Sequence, residues 1–131
     1  MYKRQIGGTG NDKLIGNSSS NTLIGNNGDD TLVGQLGTDT IIGGEGSDIF
    51  GLSNVGNYFF QDFIPGVDKV GFDTQLGIQN FAQLSPYITG IDTQGEDVVV
   101  HFVDDVASIT FVGVLQQSTA LSVTDVIFQA F

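Results

Sequence analysis

The chain of 131 residues contains no cysteine and no tryptophan, two prolines, one histidine and four basic residues. Without cysteine there is no disulfide framework, no thiolate metal site and no sulfur redox chemistry. Four Lys and Arg against fifteen Asp and Glu leave a formal charge of −11. That balance excludes nucleic acid and anionic membrane surfaces as partners and points to a cation instead. No run approaches the roughly 18 apolar residues of a membrane span. The start, Met1-Tyr2-Lys3-Arg4-Gln5, is followed by glycine-rich polar sequence in place of an apolar signal segment. An ordinary cleavable signal peptide is therefore not expected. The single His101 has no local acid or nucleophile with which to build a Ser-His-Asp arrangement, so no catalytic residue is expected and His101 reads as an ordinary strand residue.

What the chain does have is 40% hydrophobic residues, 10 Phe and 19 Gly. The first two supply enough apolar surface for a core, and the glycines signal tight turns. From Gly7 onward five consecutive nonapeptides can be aligned: GGTGNDKLI, GNSSSNTLI, GNNGDDTLV, GQLGTDTII and GGEGSDIFG, ending at Gly51. The first place is Gly7, Gly16, Gly25, Gly34 and Gly43. The fourth is Gly10, Gly28, Gly37 and Gly46, with Ser19 in the second repeat. The sixth is Asp12, Asn21, Asp30, Asp39 and Asp48, and the eighth is Leu14, Leu23, Leu32, Ile41 and Phe50. Four columns in register mark a repeat architecture.

Six residues rich in Gly, Asn and Asp suit a turn, and the next three, such as Thr31-Leu32-Val33, suit a short strand with one inward apolar residue. Repetition predicts an all-β fold, a flattened right-handed parallel β-roll with two nonapeptides per coil. Repeats one, three and five then stack on one edge, and repeats two and four on the other. Stacked coils lie ~4.8 Å apart, so equivalent Asp side chains face each other and would repel without a cation. Calcium takes six to eight oxygens at about 2.3–2.6 Å and could reach both carboxylates and several turn carbonyls. Within each strand the seventh and ninth residues point outward, so Ile15 and Val33 lie on one outer face and Ile24 and Ile42 on the other. At least one of these pairs is expected to be covered, by the C-terminal half folding back or by another protomer of a homo-oligomer.

These residues resemble the repeats-in-toxin motif G-G-x-G-x-D-x-U-x, a calcium-binding β-roll repeat. Gln61-Asp62-Phe63-Ile64-Pro65-Gly66-Val67-Asp68-Lys69-Val70 is similar to the flank that closes such rolls, and Leu121 to Phe128 to the endings of proteins exported by type I secretion. The resemblance implies a calcium-induced folding and export module, secreted and extracellular, whose partners are calcium and the type I secretion machinery. It implies two or three Ca2+ ions. One would join Gly7, Thr9 and Asp12 to Asn26, Gly28 and Asp30. A second would join Gly25, Asn27 and Asp30 to Gly44, Gly46 and Asp48, and a terminal one Gly43, Glu45 and Asp48 to Asp68. Relatives carry an acid ten residues before that last Asp, where this chain has Tyr58. On the other edge the corresponding set is Gly16, Ser18 and Asn21 with Gln35, Gly37 and Asp39, in which Asn21 replaces a carboxylate and weak or no binding is expected. For Asp62 and Asp68 turn capping is an alternative to ligation.

After residue 51 the period is lost. Residues 1–51 are read as the roll and 52–131 as a β-rich cap. Lys69 to Phe72 is a candidate strand, Phe81 to Leu84 a helical turn, and Asp97 to Val103 with Ser108 to Val112 a hairpin around Asp104-Asp105. A polysaccharide-binding accessory module is the alternative function. Against it, the chain has no Trp and only 3 Tyr for a stacking platform.

Overall fold

The computed structural model describes residues 3–54, 56–102, 107–116 and 122–131. Short strands follow the repeat: β1 (Lys3–Ile6), β2 (Lys13–Ile15), β3 (Asn21–Ile24), β4 (Thr31–Gly34), β5 (Thr38–Ile42) and β6 (Ile49–Leu52). Successive strands go to alternate sheets, and within a sheet all of these pair in parallel. Lys13 aligns with Thr31 and Thr31 with Ile49, a step of 18 residues, or two nonapeptides. The chain is therefore a parallel β-solenoid with repeats one, three and five on one edge and repeats two and four on the other.

The eighth column is the reason the coils stack. Leu23, Leu32, Ile41 and Phe50 are each 0% exposed. Leu32 sits beside Phe50 in one sheet and Leu23 beside Ile41 in the other, so the two inner faces meet in a thin apolar layer. A single nonapeptide offers one such side chain and could not bury it alone, which is why the architecture needs several coils.

The solenoid continues past the last nonapeptide. β7 (Asn57–Phe60) pairs in parallel with β5, and β8 (Lys69–Asp73) with β6, giving a fourth coil. Its connecting turn is longer, because Ile49 aligns with Lys69 and the extra residues fall at Pro65-Gly66, where Gly66 has φ 86°. Larger side chains fill the wider coil. Phe50 and Phe60 lie 4.9 Å apart by ring centroid, and Phe63 and Phe111 are 5.2 Å apart edge to face.

Both sheets then extend. β9 (Ile88–Gln94), β10 (Asp97–Phe102) and β11 (Ala107–Phe111) form an antiparallel meander joined to β7 through β11, and β12 (Val126–Gln129) adds in parallel to β8. The expected helical turn is α1 (Phe81–Leu84). The hairpin pairs as expected, with Ile109 and Phe111 both in the core, while Asp104-Asp105 lie outside the described residues.

One outer face is covered by the chain itself. In sheet register, Val33 is followed by Gly51 and Gly71. These two positions leave a notch for the Phe131 ring: a Cβ at Gly71 would stand 2.5 Å from Phe131 Cζ, and one at Gly51 3.1 Å from it. Val33 is 1% exposed, whereas Ile15 at the open end is 41% exposed. Ile24 and Ile42 are half-buried. The cover thus reaches one member of one pair. Val33→Thr is expected to destabilise the calcium-loaded protein by about 1–3 kcal/mol, the cost of burying a hydroxyl without a partner. Ile15→Thr should stay within about 0.5 kcal/mol. Urea midpoints of the two variants check this.

Candidate metal centre

The stacked turns 7–12, 25–30 and 43–48, with the longer turn 61–68, bring the sixth-place acids into one column. The Asp12 N–H donates to Asp30 Oδ1 at 2.7 Å, the Asp30 N–H to Asp48 Oδ1 at 2.9 Å, and the Asp48 N–H to Asp68 Oδ1 at 2.9 Å. Each carboxylate is thus tied by one oxygen to the coil before it. At the ends of the column the second oxygen is also satisfied. Asp12 Oδ2 accepts from Gly8 N at 2.7 Å and Asp68 Oδ2 from Ile64 N at 2.9 Å. The middle rungs differ: Asp30 Oδ2 and Asp48 Oδ2 are buried with no hydrogen-bond partner.

An unpaired buried carboxylate resists ionisation. Burial pushes the Asp48 carboxyl up to about 7, with Asp68, Asp30 and Asp62 adding like-charge repulsion. Burial likewise raises Asp30 and Asp68, each partly offset by its backbone hydrogen bonds.

The turn backbone is shaped around these oxygens. Left-handed angles occur at the second and fourth places of repeats three and five: Asn26 (φ 73°), Gly28 (φ 110°), Gly44 (φ 90°) and Gly46 (φ 113°). Glycine takes such angles freely, and Asn is the commonest exception. A Cβ at first-place Gly25 would stand 2.5 Å from Asp30 Oδ2 and 2.6 Å from the Gly43 carbonyl, so that the space beside the orphaned oxygen is bounded by a second oxygen. Asn27 and Glu45 bridge in parallel one coil apart, and the Glu45 N–H donates to the Asn26 carbonyl at 3.1 Å. The Asn26 side-chain amide donates to the Gly7 carbonyl at 2.9 Å. Thr9 and Glu45 have exposed side chains, leaving their carbonyls as the groups to offer. Among the described residues no three His, Asp or Glu side chains converge. The acids come in twos, one rung apart, so backbone and amide oxygens must complete any metal sphere. The buried orphaned carboxylate oxygens and the glycine cradle fit a hard divalent cation.

Two acids of the closing segment have backbone roles. Asp62 accepts from Gly43 N and Gly44 N, both at 2.8 Å, capping the last nonapeptide turn. Asp125, 2% exposed, accepts from Gly66 N at 2.9 Å and Ser122 N at 2.9 Å, with Lys69 Nζ 4.0 Å away. Tyr58 is not near the terminal pair Asp48 and Asp68. It aligns with Asp39 across β5 and β7, on the opposite edge, because a strand and a turn separate it from Asp68. There the Asn21 N–H donates to Asp39 Oδ1 at 2.9 Å, and burial raises the Asp39 carboxyl to about 6.

A fifth-place column escaped the sequence reading. Asn11 Oδ1 accepts from Asp29 N at 2.8 Å, Asp29 Oδ1 from Ser47 N at 2.7 Å, and on the other edge Ser20 Oγ from Thr38 N at 3.3 Å. The signal was present, since every fifth place is a short polar residue: Asn11, Ser20, Asp29, Thr38 and Ser47. His101 also has a partner that sequence proximity did not suggest. β9 pairing brings Asp92 Oδ2 to 2.9 Å from His101 Nε2, while Ser108 on the facing strand donates its hydroxyl to Asn57 Oδ1 at 2.9 Å.

A parallel solenoid with paired, buried carboxylates in its turns defines a metal-dependent β-roll. Residues 6–41, and again 15–50, match the family described as the RTX calcium-binding nonapeptide repeat (4 copies), so this segment carries RTX calcium-binding repeats. Among solved structures, the chain is similar to the extracellular lipase LipA from Serratia marcescens at 22% identity and a TM-score of 0.43, over 95% of this chain and 20% of that one. It spans about a fifth of the lipase's length. No curated protein matches it significantly. Among the described residues no helix is long and apolar enough to cross a membrane.

The raised carboxyls have a pH consequence. Unfolded Asp titrates near ~3.9, while in the metal-free fold Asp39 and Asp48 hold protons up to about 6 and 7. The folded state binds more protons in between, so metal-free stability is greatest near the lower limit and is lost as pH rises to about 7. Calcium needs the charged carboxylates, so its apparent affinity should rise across the same window. Strand signal in calcium-free buffer and calcium titrations, each followed over this range, check both slopes.

Proposed function

We propose that residues 7–51 bind two or three calcium ions along the Asp12–Asp30–Asp48–Asp68 edge and that the ions drive folding of the roll after export. The observation that carries this reading is the pair of orphaned oxygens, Asp30 Oδ2 and Asp48 Oδ2, buried in a segment whose family binds calcium. The first ion would draw on Gly7, Thr9, Asp12, Asn26, Gly28 and Asp30. The second would draw on Gly25, Asn27, Asp30, Gly44, Gly46 and Asp48. Left-handed angles at Asn26, Gly28, Gly44 and Gly46 support these sets, because they fall at the places whose carbonyls the two sets require. A third ion between Gly43, Glu45, Asp48 and Asp68 would depend mainly on Asp48, since both Asp68 oxygens already accept N–H groups.

Calcium supplies the positive charge that lets stacked carboxylates stay ionised. In the calcium-poor cytosol the acidic column opposes folding and the chain remains exportable. Outside, where modules of this kind bind with Kd of about 10⁻⁴–10⁻³ M, binding energy becomes folding energy. RTX repeats occur in proteins exported by type I systems. The closing segment and the residues around β12 are the parts of this chain we assign to that export route.

With EGTA at neutral pH the strand signal of the roll should fall, and calcium should restore it where magnesium does not, because magnesium demands tighter octahedral geometry and sheds its waters reluctantly. A spectrum unchanged by chelator defeats the reading. Asp30 stands in two of the proposed sets, so Asp30→Ala should lose up to two calcium ions by calorimetry. Asn21→Ala should keep the calcium count.

A further inference from the structure

The two edges of the roll differ in charge. On the first edge neighbouring rungs present two carboxylates; on the second, Asn21 meets Asp39. Asn21 is 1% exposed and Asp39 0%. The Asn21 N–H takes Asp39 Oδ1, and Asn21 Oδ1 and Asp39 Oδ2 are left buried with no hydrogen-bond partner. The amide NH2 of Asn21 turns away, donating to Asn17 Oδ1 at 2.9 Å and to the Ser19 carbonyl, which leaves its oxygen for the gap. Asp39 has no ion pair among the described residues.

The next coil closes the column. Tyr58, in register with Asp39 and 1% exposed, lies against Gly34, and its hydroxyl reaches the Gln35 carbonyl at 2.9 Å and the Asn54 carbonyl at 2.7 Å. The column Asn21–Asp39–Tyr58 therefore has one gap flanked by two orphaned oxygens and carries a single formal charge.

A buried ion is tolerated when its charge is matched. Two carboxylates match a divalent ion, and one carboxylate with a neutral amide matches a monovalent ion. Calcium in this gap would leave one positive charge uncompensated. Strand spacing, ~4.8 Å between coils on both edges, demands an ion of about calcium's size, which sodium has and potassium exceeds. The geometry points to a sodium ion held between Asn21 Oδ1 and Asp39 Oδ2, on the edge opposite the calcium column. This rests on the calcium reading only for the comparison between edges.

The test uses the full chain at saturating calcium, with choline as the background cation. Sodium NMR relaxation should show one bound sodium per chain in the wild type, retained under equal potassium. The signal should vanish in Asn21→Ala, which removes an oxygen without adding charge, with the calcium count from radiocalcium dialysis unchanged. Asn21→Asp should also lose the sodium signal but gain one calcium. Equal calcium counts in the wild type and Asn21→Asp, no sodium signal in the wild type, or displacement by potassium would overturn the proposal. Dialysis that finds no calcium on any variant would instead refute the calcium reading of the first edge.

Discussion

A carboxylate buried one strand spacing from its own copy is the constraint on which this molecule depends. In the column from Asp12 to Asp68 each backbone N–H satisfies one oxygen of the next acid, so the ladder holds the coils in register. The same geometry leaves Asp30 Oδ2 and Asp48 Oδ2 without donors in a place water does not fill. Such oxygens are costly unless protonated or met by a cation. The roll is therefore incomplete by itself, and the missing component is a positive charge.

The ends of the column show how the chain limits that demand. Asp12 and Asp68 receive second N–H donors, and Asp62 caps the last turn with both oxygens. On the opposite edge a tyrosine hydroxyl, bonded to two carbonyls, closes the stack where an acid would have extended it. The fourth coil also changes the core. The thin layer of single aliphatic side chains gives way to Phe50, Phe60, Phe63 and Phe111 in contact, and the meander of β9 to β11 builds on that aromatic cluster. Coils that need an ion thus rest on a region held by apolar contacts.

This division suits a protein whose folding is to wait for its environment. The net charge of −11 opposes compaction of the acidic turns until cations arrive. The apolar layer within the repeats is one side chain deep, too thin to overcome that repulsion readily. Ion binding can then decide the folded population, because each bound ion adds its binding free energy to a small margin.

The roll itself was legible in the sequence because a solenoid makes its contacts at a fixed offset. The step that returns Asp12 to Asp30 also returns Leu14 to Leu32, so packing and ligand columns appear as the same nine-residue period. Glycine at the fourth place announced left-handed backbone, and the fifth-place polar column was equally visible, although its ladder role was not read. Contacts without a period were hidden. Tyr58 was taken for the neighbour of Asp68 by counting residues, but the alternation of strands between sheets sends it to Asp39. Asp125 caps Gly66 across 59 residues, Asp92 reaches His101 only through β9 pairing, and Phe131 fills a notch made by two glycines from separate coils. The sequence by itself determined the coil, its apolar spine and its acidic edge, since each is a local pattern repeated. Only the tertiary structure decided which oxygens are left unpaired and where the column stops, because burial and hydrogen-bond supply depend on what the surrounding coils bring to each atom.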